Sequence, residues 1–199
     1  FDARTLWERA GVHLDLTSAP ALTWSLPLAR PSALRRITQH ATELGIPLHL
    51  SQLALREHPI DVVPGSEILV VENPRVVEAA AQRRVARPLV AANGNPSSAV
   101  RLLLEQLHES GARLHYHGDF DAAGLAMCAR MTSMGAVPWR MNASDYVGAV
   151  AEAEASGLDL PVDRSSAPPT PWDPDLRAAF DERRLVVHEE RLLHRILVE

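Results

Sequence analysis

The chain has 199 residues, 46% of them hydrophobic and 23% charged, a composition typical of one globular domain with room for a small appendage. Its one cysteine excludes a disulfide scaffold and a multi-cysteine zinc site, and the lack of lysine excludes P-loop NTPases and Schiff-base enzymes. The net charge of −5 excludes a bulk polycation that binds nucleic acid by charge alone. No apolar run approaches the about 20 residues of a membrane helix, and no secretory signal is present, which predicts a cytoplasmic protein with no membrane partner.

The first 60 residues have a mixed pattern. They predict a small N-terminal α+β extension of a longer protein, since the chain begins with Phe1 rather than Met. Short helices are expected over residues 5–11, 31–44 and 48–56, and a strand over residues 21–28. The turn-rich sequence DVVPGS follows, and residues 61–199 form the predicted main domain.

Beyond residue 66, apolar strands alternate with amphipathic helices. Predicted strands cover residues 67–71, 88–92, 113–117 and 136–139, and predicted helices cover residues 75–84, 97–110 and 121–134. This alternation is typical of βαβ units, so we expect an α/β fold with about four parallel strands and helices on both faces. A helix over residues 145–155, a proline-rich loop over residues 157–175 and a C-terminal helix over residues 174–197 complete the prediction.

Three acidic residues come directly after predicted strands. Glu72 follows the first strand, and Asp119 and Asp121 follow the third, with Gly118 and Gly124 on either side of the pair. Open parallel sheets bind ligands at the carboxyl ends of their strands, and hard oxygen ligands suit Mg²⁺ or Mn²⁺. Glu72 reaches the two aspartates if the first and third strands are neighbours. Taken singly, Asp121 also fits a helix N-cap and Glu72 an exposed loop acid, so the three together predict the metal site.

Four segments together resemble a known family: VVENPRVVEAA, PLVAANGNPSSAVRLLL, RLHYHGDFDAAGL and VPWRMNASDY. A glutamate after the first strand and Asp-x-Asp after the third resemble the toprim domain. The combination is most similar to the topoisomerase VI A-like group, and within it to the JetD nucleases of Wadjet plasmid-defence systems. The resemblance covers residues 67–146 well and residues 175–199 loosely, and it implies a Rossmann-like toprim fold.

The resemblance also implies an activity. It points to a nuclease that uses Mg²⁺ or Mn²⁺ to cleave DNA phosphodiester bonds in plasmid defence, together with an SMC-like ATPase complex. Glu72 would be a metal ligand or general acid/base, and Asp119 and Asp121 would be metal ligands. The related topoisomerases use a tyrosine nucleophile, but Tyr116 lies in a predicted strand and Tyr146 at a helix start, so hydrolysis is favoured. A homodimer is plausible because double-strand cleavage needs two active sites.

Several polar residues are weaker candidates for the same site. His117 is a candidate catalytic residue two positions before Asp119, although such a histidine is more often a packed polar side chain. Asn95 and Ser97 precede a helix, where they fit either a DNA phosphate contact or simple capping.

Charged residues near two helices complete the candidates. Arg75 and Arg84 flank the first main-domain helix and fit a DNA track or a solvated face. His188, Glu189 and Glu190 offer further metal ligands on the C-terminal helix, but a solvated face is favoured for them.

Two other classes of function stay open. A catalytically inert toprim-like module that docks a partner complex is possible, but it needs none of the three acids. A phosphatase or receiver domain fits less well, because these carry an aspartate after the first strand and need a lysine. A dinucleotide-binding domain is excluded, since no G-x-G-x-x-G follows the first strand.

Overall fold

The computed structural model describes residue 10 and residues 15–198. The strands are β1 (Ala21–Trp24), β2 (Leu48–Leu50), β3 (Glu67–Val71), β4 (Leu89–Ala91), β5 (Arg113–His117) and β6 (Val137–Pro138). The helices are α1 (Ala33–Leu44), α2 (Gln52–Glu57), α3 (Pro74–Gln82), α4 (Ser98–Glu109), α5 (Ala122–Ser133), α6 (Ala143–Ala155), α7 (Pro174–Arg183) and α8 (Leu193–Ile196), and a 3₁₀ turn over Glu189–Leu192 precedes the last. The helix predicted over residues 5–11 lies outside the described residues, apart from Ala10 in a turn.

All six strands form one sheet in the order β2-β1-β4-β3-β5-β6. The four strands predicted for the main domain are present and pair in parallel, which confirms the α/β class. The expectation of about four strands is short by two, because β1 pairs antiparallel with β4 and β2 pairs antiparallel with β1. The helix predicted over residues 48–56 is therefore wrong in its first part, where ladder hydrogen bonds to β1 outweigh local helix propensity.

The chain reverses its direction across the sheet at β3. From β3 it moves to β4 on one side and then crosses back to β5 on the other, so β3 lies between them. Ile68–Val71 of β3 are fully buried, as expected for a central parallel strand. Such a reversal is a topological switch point, and it opens a crevice at the carboxyl ends of β3 and β5.

Helices cover both faces of the parallel part of the sheet. The connections through α3 and α4 run in opposite directions across the sheet, so the right-handed rule for parallel crossovers assigns the two helices to opposite faces. Leu104 of α4 and Met131 of α5 line one cavity with Val70 of β3, so α4 and α5 share a face. Within the described part of the chain, no helix combines the length and apolar character needed to span a membrane.

The C-terminal helix predicted over residues 174–197 is not continuous. Helix α7 ends at Arg183, and Arg184 adopts a left-handed conformation with φ of 54°. An extended stretch follows, in which Val187 forms a bridge with Phe120 through two backbone hydrogen bonds of 2.9 and 3.2 Å. The break lets Val186 and Val187 be buried, and it delivers residues 185–190, here called the C-terminal segment, to the carboxyl end of β5.

Candidate metal centre at the carboxyl ends of β3 and β5

Glu72 and Asp119 meet at the switch point because β3 and β5 are neighbours. The backbone N–H of Asp119 donates to Glu72 Oε2 at 3.2 Å, and the Tyr116 hydroxyl donates to the same oxygen at 3.4 Å. The sequence predicts that Glu72 reaches Asp119 if the two strands are neighbours, and the structure shows that they are. We call Glu72, Asp119 and the C-terminal segment the β3–β5 edge.

The Glu72 carboxylate lies in a strongly acidic environment. Burial and the negative charge of Asp119 raise its pKa from the ordinary 4.5 to about 7, and the charges of Glu189 and Asp121 act in the same direction. Tyr116 is fully buried, which raises its pKa well above 10 and keeps it a hydroxyl donor. A carboxyl group with a pKa near neutrality can exchange a proton at physiological pH.

Two glycines make room for this arrangement. A Cβ at Gly118 would lie 2.7 Å from the Tyr116 hydroxyl and 2.8 Å from Glu72 Oε2. A Cβ at Gly124 would lie 2.2 Å from the backbone oxygen of Asp119, so helix α5 can approach the loop only without a side chain there. Gly124 therefore allows α5 to pack close to the loop, whereas Gly118 has no left-handed φ and provides space rather than a turn.

The C-terminal segment adds three polar residues to the edge. His188 Nδ1 lies 2.9 Å from Asp119 Oδ2, and the backbone N–H of Glu189 donates to Asp119 Oδ1 at 2.7 Å. The Glu190 carboxylate accepts a hydrogen bond of 2.6 Å from the Asn73 side chain. The hydrogen bond to Asp119 raises the pKa of His188.

These contacts create a group of candidate metal ligands. One ligand atom each from Asp119, His188 and Glu190 lies within 4.8 Å of the others. The group shares only Asp119 with the predicted set of Glu72, Asp119 and Asp121. Two carboxylates and an imidazole suit a divalent cation such as Mn²⁺, for which oxygen ligands are preferred and nitrogen is accepted.

Asp121 has a local structural role. Its Oδ1 accepts a 2.6 Å hydrogen bond from the Gly124 N–H, so it is the N-cap of α5, the alternative that the sequence left open. Its charge still contributes to the raised pKa of Glu72, which places it within electrostatic range of the edge.

His117 is buried at the end of β5 with 1% exposure. Its Nδ1 lies 3.0 Å from Glu189 Oε1, and its ring packs edge-on against Phe120 and Trp139. Burial lowers its pKa from 6.5 to about 4, so the imidazole is neutral. The contact of His117 with the C-terminal segment is therefore its hydrogen bond with Glu189.

The loop after β4, residues 92–97, holds the predicted phosphate contacts and is here called the β4 loop. Ser97 caps α4 by accepting from the Val100 N–H at 3.2 Å, and its hydroxyl donates to the Ala19 carbonyl at 3.0 Å. Asn95 accepts a hydrogen bond from Arg130. Both residues line a cavity of about 320 Å³, and their side chains are already engaged by Ala19, Val100 and Arg130.

The two candidate arginines lie at opposite ends of α3. Arg75 lies near the β3–β5 edge, is partly exposed and forms a 2.6 Å ion pair with Glu78. Arg84 lies beyond the C-terminal end of α3, and its guanidinium donates to the Glu43 carbonyl. Arg75 thus lies at the end of α3 that follows Glu72 in the chain, and Arg84 lies at the other end of the helix.

The sequence pattern favours a solvated helix face for three residues of the C-terminal segment, His188, Glu189 and Glu190. This prediction is wrong for Glu189, whose side chain is buried with 0% exposure. A sequence signal for the burial of Glu189 does exist. The preceding β-branched pair, Val186 and Val187, favours an extended stretch over a continued helix.

Comparison with known proteins identifies a family. Residues 48–199 match the family described as "Protein of unknown function C-terminus (DUF2399)". No curated protein shows a significant match to the chain. The matched range includes most of the sheet, both acids of the switch point and the C-terminal segment, so the chain belongs to the DUF2399 family.

Proposed function

We propose that the protein is a metal-dependent nuclease of the toprim type, which cleaves DNA phosphodiester bonds. One observation carries the proposal: Asp119, His188 and Glu190 gather within 4.8 Å beside Glu72, at the switch point of a parallel sheet. This is the position where open α/β sheets bind their ligands. The sequence pattern of Glu72 after β3 and Asp119 after β5 supports the toprim assignment.

The donor set fits a divalent cation. Asp119 and Glu190 would hold Mg²⁺ or Mn²⁺, with His188 as a further ligand and Glu72 beside them. A cation would offset the mutual repulsion that raises the pKa of Glu72. When bound, such an ion polarises a phosphate oxygen and lowers the pKa of water.

The protein's own groups have defined parts. Glu72 lies beside the ligand group, with its Oε2 held by the Asp119 amide and the Tyr116 hydroxyl, and is the candidate general acid/base. Asp119 is held by two hydrogen bonds from the C-terminal segment, so its carboxylate is oriented before a ligand arrives. Arg75, three residues after Glu72 and exposed at the start of α3, is the proposed contact to a DNA backbone.

The state of the two tyrosines supports hydrolysis. Tyr116 and Tyr146 are both fully buried. The Tyr116 hydroxyl is bonded to Glu72 and the Tyr146 hydroxyl to the backbone of Leu185, so neither is presented to a substrate. Water is therefore the proposed nucleophile.

The proposal includes plasmid defence with an SMC-like ATPase complex. The resemblance of the sequence motifs supports this part of the proposal.

The test combines metal binding with cleavage. Binding of Mg²⁺ and Mn²⁺ is measured by calorimetry, and cleavage of supercoiled plasmid is followed beside it, on the parent protein and on Asp119→Asn. Asp163→Asn is the matched control, because Asp163 caps the same helix α5 by accepting from Ala122 and is not in the ligand group. We expect binding and cleavage to be lost in Asp119→Asn and kept in Asp163→Asn. Equal binding by all three proteins would overturn the proposal and favour a docking module without catalysis.

A further inference from the structure

We propose that Glu189 is a positioning residue, which ties the loops after β3 and β5 together and so holds Glu72 and Asp119 in place. This inference rests on the proposed function, because the geometry it maintains is that of the candidate metal centre.

Glu189 bonds to both loops at once. Its carboxylate accepts from the backbone N–H of Asn73 at 2.5 Å and of Glu72 at 3.3 Å. Its own backbone N–H donates to Asp119 Oδ1 at 2.7 Å. A single residue from the distant C-terminal segment therefore connects the backbone that carries Glu72 with the side chain of Asp119.

The Glu189 carboxylate is itself held in one orientation. Its Oε1 lies 3.0 Å from His117 Nδ1, and the exposed fractions of the His117 and Glu189 side chains are 2% and 0%. A buried carboxyl group is costly unless its oxygens have partners, and here the partners are two loop amides and an imidazole. An apolar side chain at this position would leave the Asn73 amide without its acceptor, whereas the Glu72 amide would keep its 3.2 Å hydrogen bond to the His117 carbonyl.

The arrangement matches the way in which neighbouring residues orient metal ligands. Hydrogen-bonded neighbours fix the direction of a ligating carboxylate, and their loss usually weakens metal binding by about 10- to 100-fold. Glu189 is not among the ligand atoms that lie within 4.8 Å of one another, whereas both of its chain neighbours are. We therefore expect it to act through Asp119 and Glu72 and not by direct contact with a substrate.

The test uses two variants and one matched control in the complete chain. Glu189→Ala removes the side-chain contacts to Asn73, Glu72 and His117, whereas Glu189→Gln keeps a carbonyl acceptor for the Asn73 amide. Tyr146→Phe removes two hydrogen bonds of 3.0 and 3.1 Å to Leu185, so it loosens the start of the C-terminal segment and leaves the hydrogen bonds of Glu72, Asp119 and Glu189 in place. Mn²⁺ affinity is measured by calorimetry, and hydrogen exchange of the Glu72 and Asn73 amides is measured without metal.

We expect Glu189→Ala to bind Mn²⁺ about 10- to 100-fold more weakly, with faster exchange at the Asn73 amide, while the Glu72 amide keeps its hydrogen bond to the His117 carbonyl. Glu189→Gln should recover most of the affinity, and Tyr146→Phe should match the parent in affinity and in exchange at these amides. Unchanged affinity or unchanged exchange in Glu189→Ala would overturn the positioning role while the proposed function stands. If the parent itself binds no Mn²⁺, the proposed function fails and the positioning role with it.

Discussion

The β3–β5 edge and the β4 loop both carry polar residues at the carboxyl ends of parallel strands, yet their side chains behave differently. In the β4 loop, Ser97 caps its own helix and Asn95 bonds to Arg130. At the β3–β5 edge, Glu72 and Asp119 are bonded to each other's loop and to a segment from the far end of the chain.

The difference shows in the electrostatics. Acidic groups converge at the β3–β5 edge, and burial there raises the pKa of Glu72 to about 7. The polar side chains of the β4 loop are neutral, and those of Asn95 and Ser97 each have a nearby partner. A polar residue at a strand end is thus a stronger functional candidate when several acidic groups converge on it and raise its pKa than when neutral side chains find single hydrogen-bond partners.

The largest effect should come from removing the C-terminal ligands. The double variant His188→Ala/Glu190→Ala should lose more than about 100-fold in Mn²⁺ affinity, because two of the three candidate ligands disappear. This loss exceeds the usual cost, about 10- to 100-fold, of removing a residue that only orients a ligand. Calorimetry on Asn95→Ala/Ser97→Ala gives the comparison from the β4 loop, where we expect affinity within about twofold of the parent. Equal losses in the two double variants would remove the distinction between the regions.

The next effect concerns stability. Gly124→Ala should lower the free energy of unfolding by about 2 to 3 kcal/mol, because its Cβ would lie 2.2 Å from the backbone oxygen of Asp119. Gly148→Ala is the control within α6, where the nearest atom would be an Arg195 guanidinium nitrogen at 3.5 Å. That substitution should leave stability unchanged or raise it by up to about 1 kcal/mol. Urea denaturation of both variants would measure the contrast, and similar stabilities would contradict it.

A third effect depends on pH. In metal-free protein the native state holds a proton on Glu72 up to pH of about 7, whereas the unfolded chain releases it near 4.5. The free energy of unfolding should therefore fall as pH rises through this window, by about 2 kcal/mol after allowance for partial exposure. Glu72→Gln should lack this component. Denaturation at pH 4, 6 and 8 with a chelator should show the parent losing stability relative to the variant, and parallel profiles would refute the shift.

The smallest effect belongs to the β4 loop. Ser97→Ala should cost about 1 kcal/mol of stability, the usual value of an N-cap, because the Val100 amide loses its acceptor. Thermal unfolding measures the loss, and plasmid cleavage should stay at the parental rate. A loss of cleavage without a loss of stability would move Ser97 into the functional site.

The sequence alone predicted the parts of the fold with strong local patterns. The apolar runs of β3 and β4 predict buried strands, and the sequence places Glu72 and Asp119 directly after strands, as the structure confirms. Local patterns did not reveal that Leu48–Leu50 pairs with β1, because three residues are too few to show a period and the pairing is with a distant strand.

The sequence by itself determined which chemistry is possible. It places acidic residues after the strands, which suits a divalent cation, and it has no lysine for Schiff-base or P-loop chemistry. Only the tertiary structure decided which of them act together. The strand order placed β3 beside β5, so Glu72 met Asp119, and Asp121 became a helix cap. The left-handed Arg184 ended α7 and turned the C-terminal segment back onto the sheet. Glu189 thus became a buried partner of both loops. The sequence could not show this, because a contact between residues 117 positions apart leaves no local periodicity.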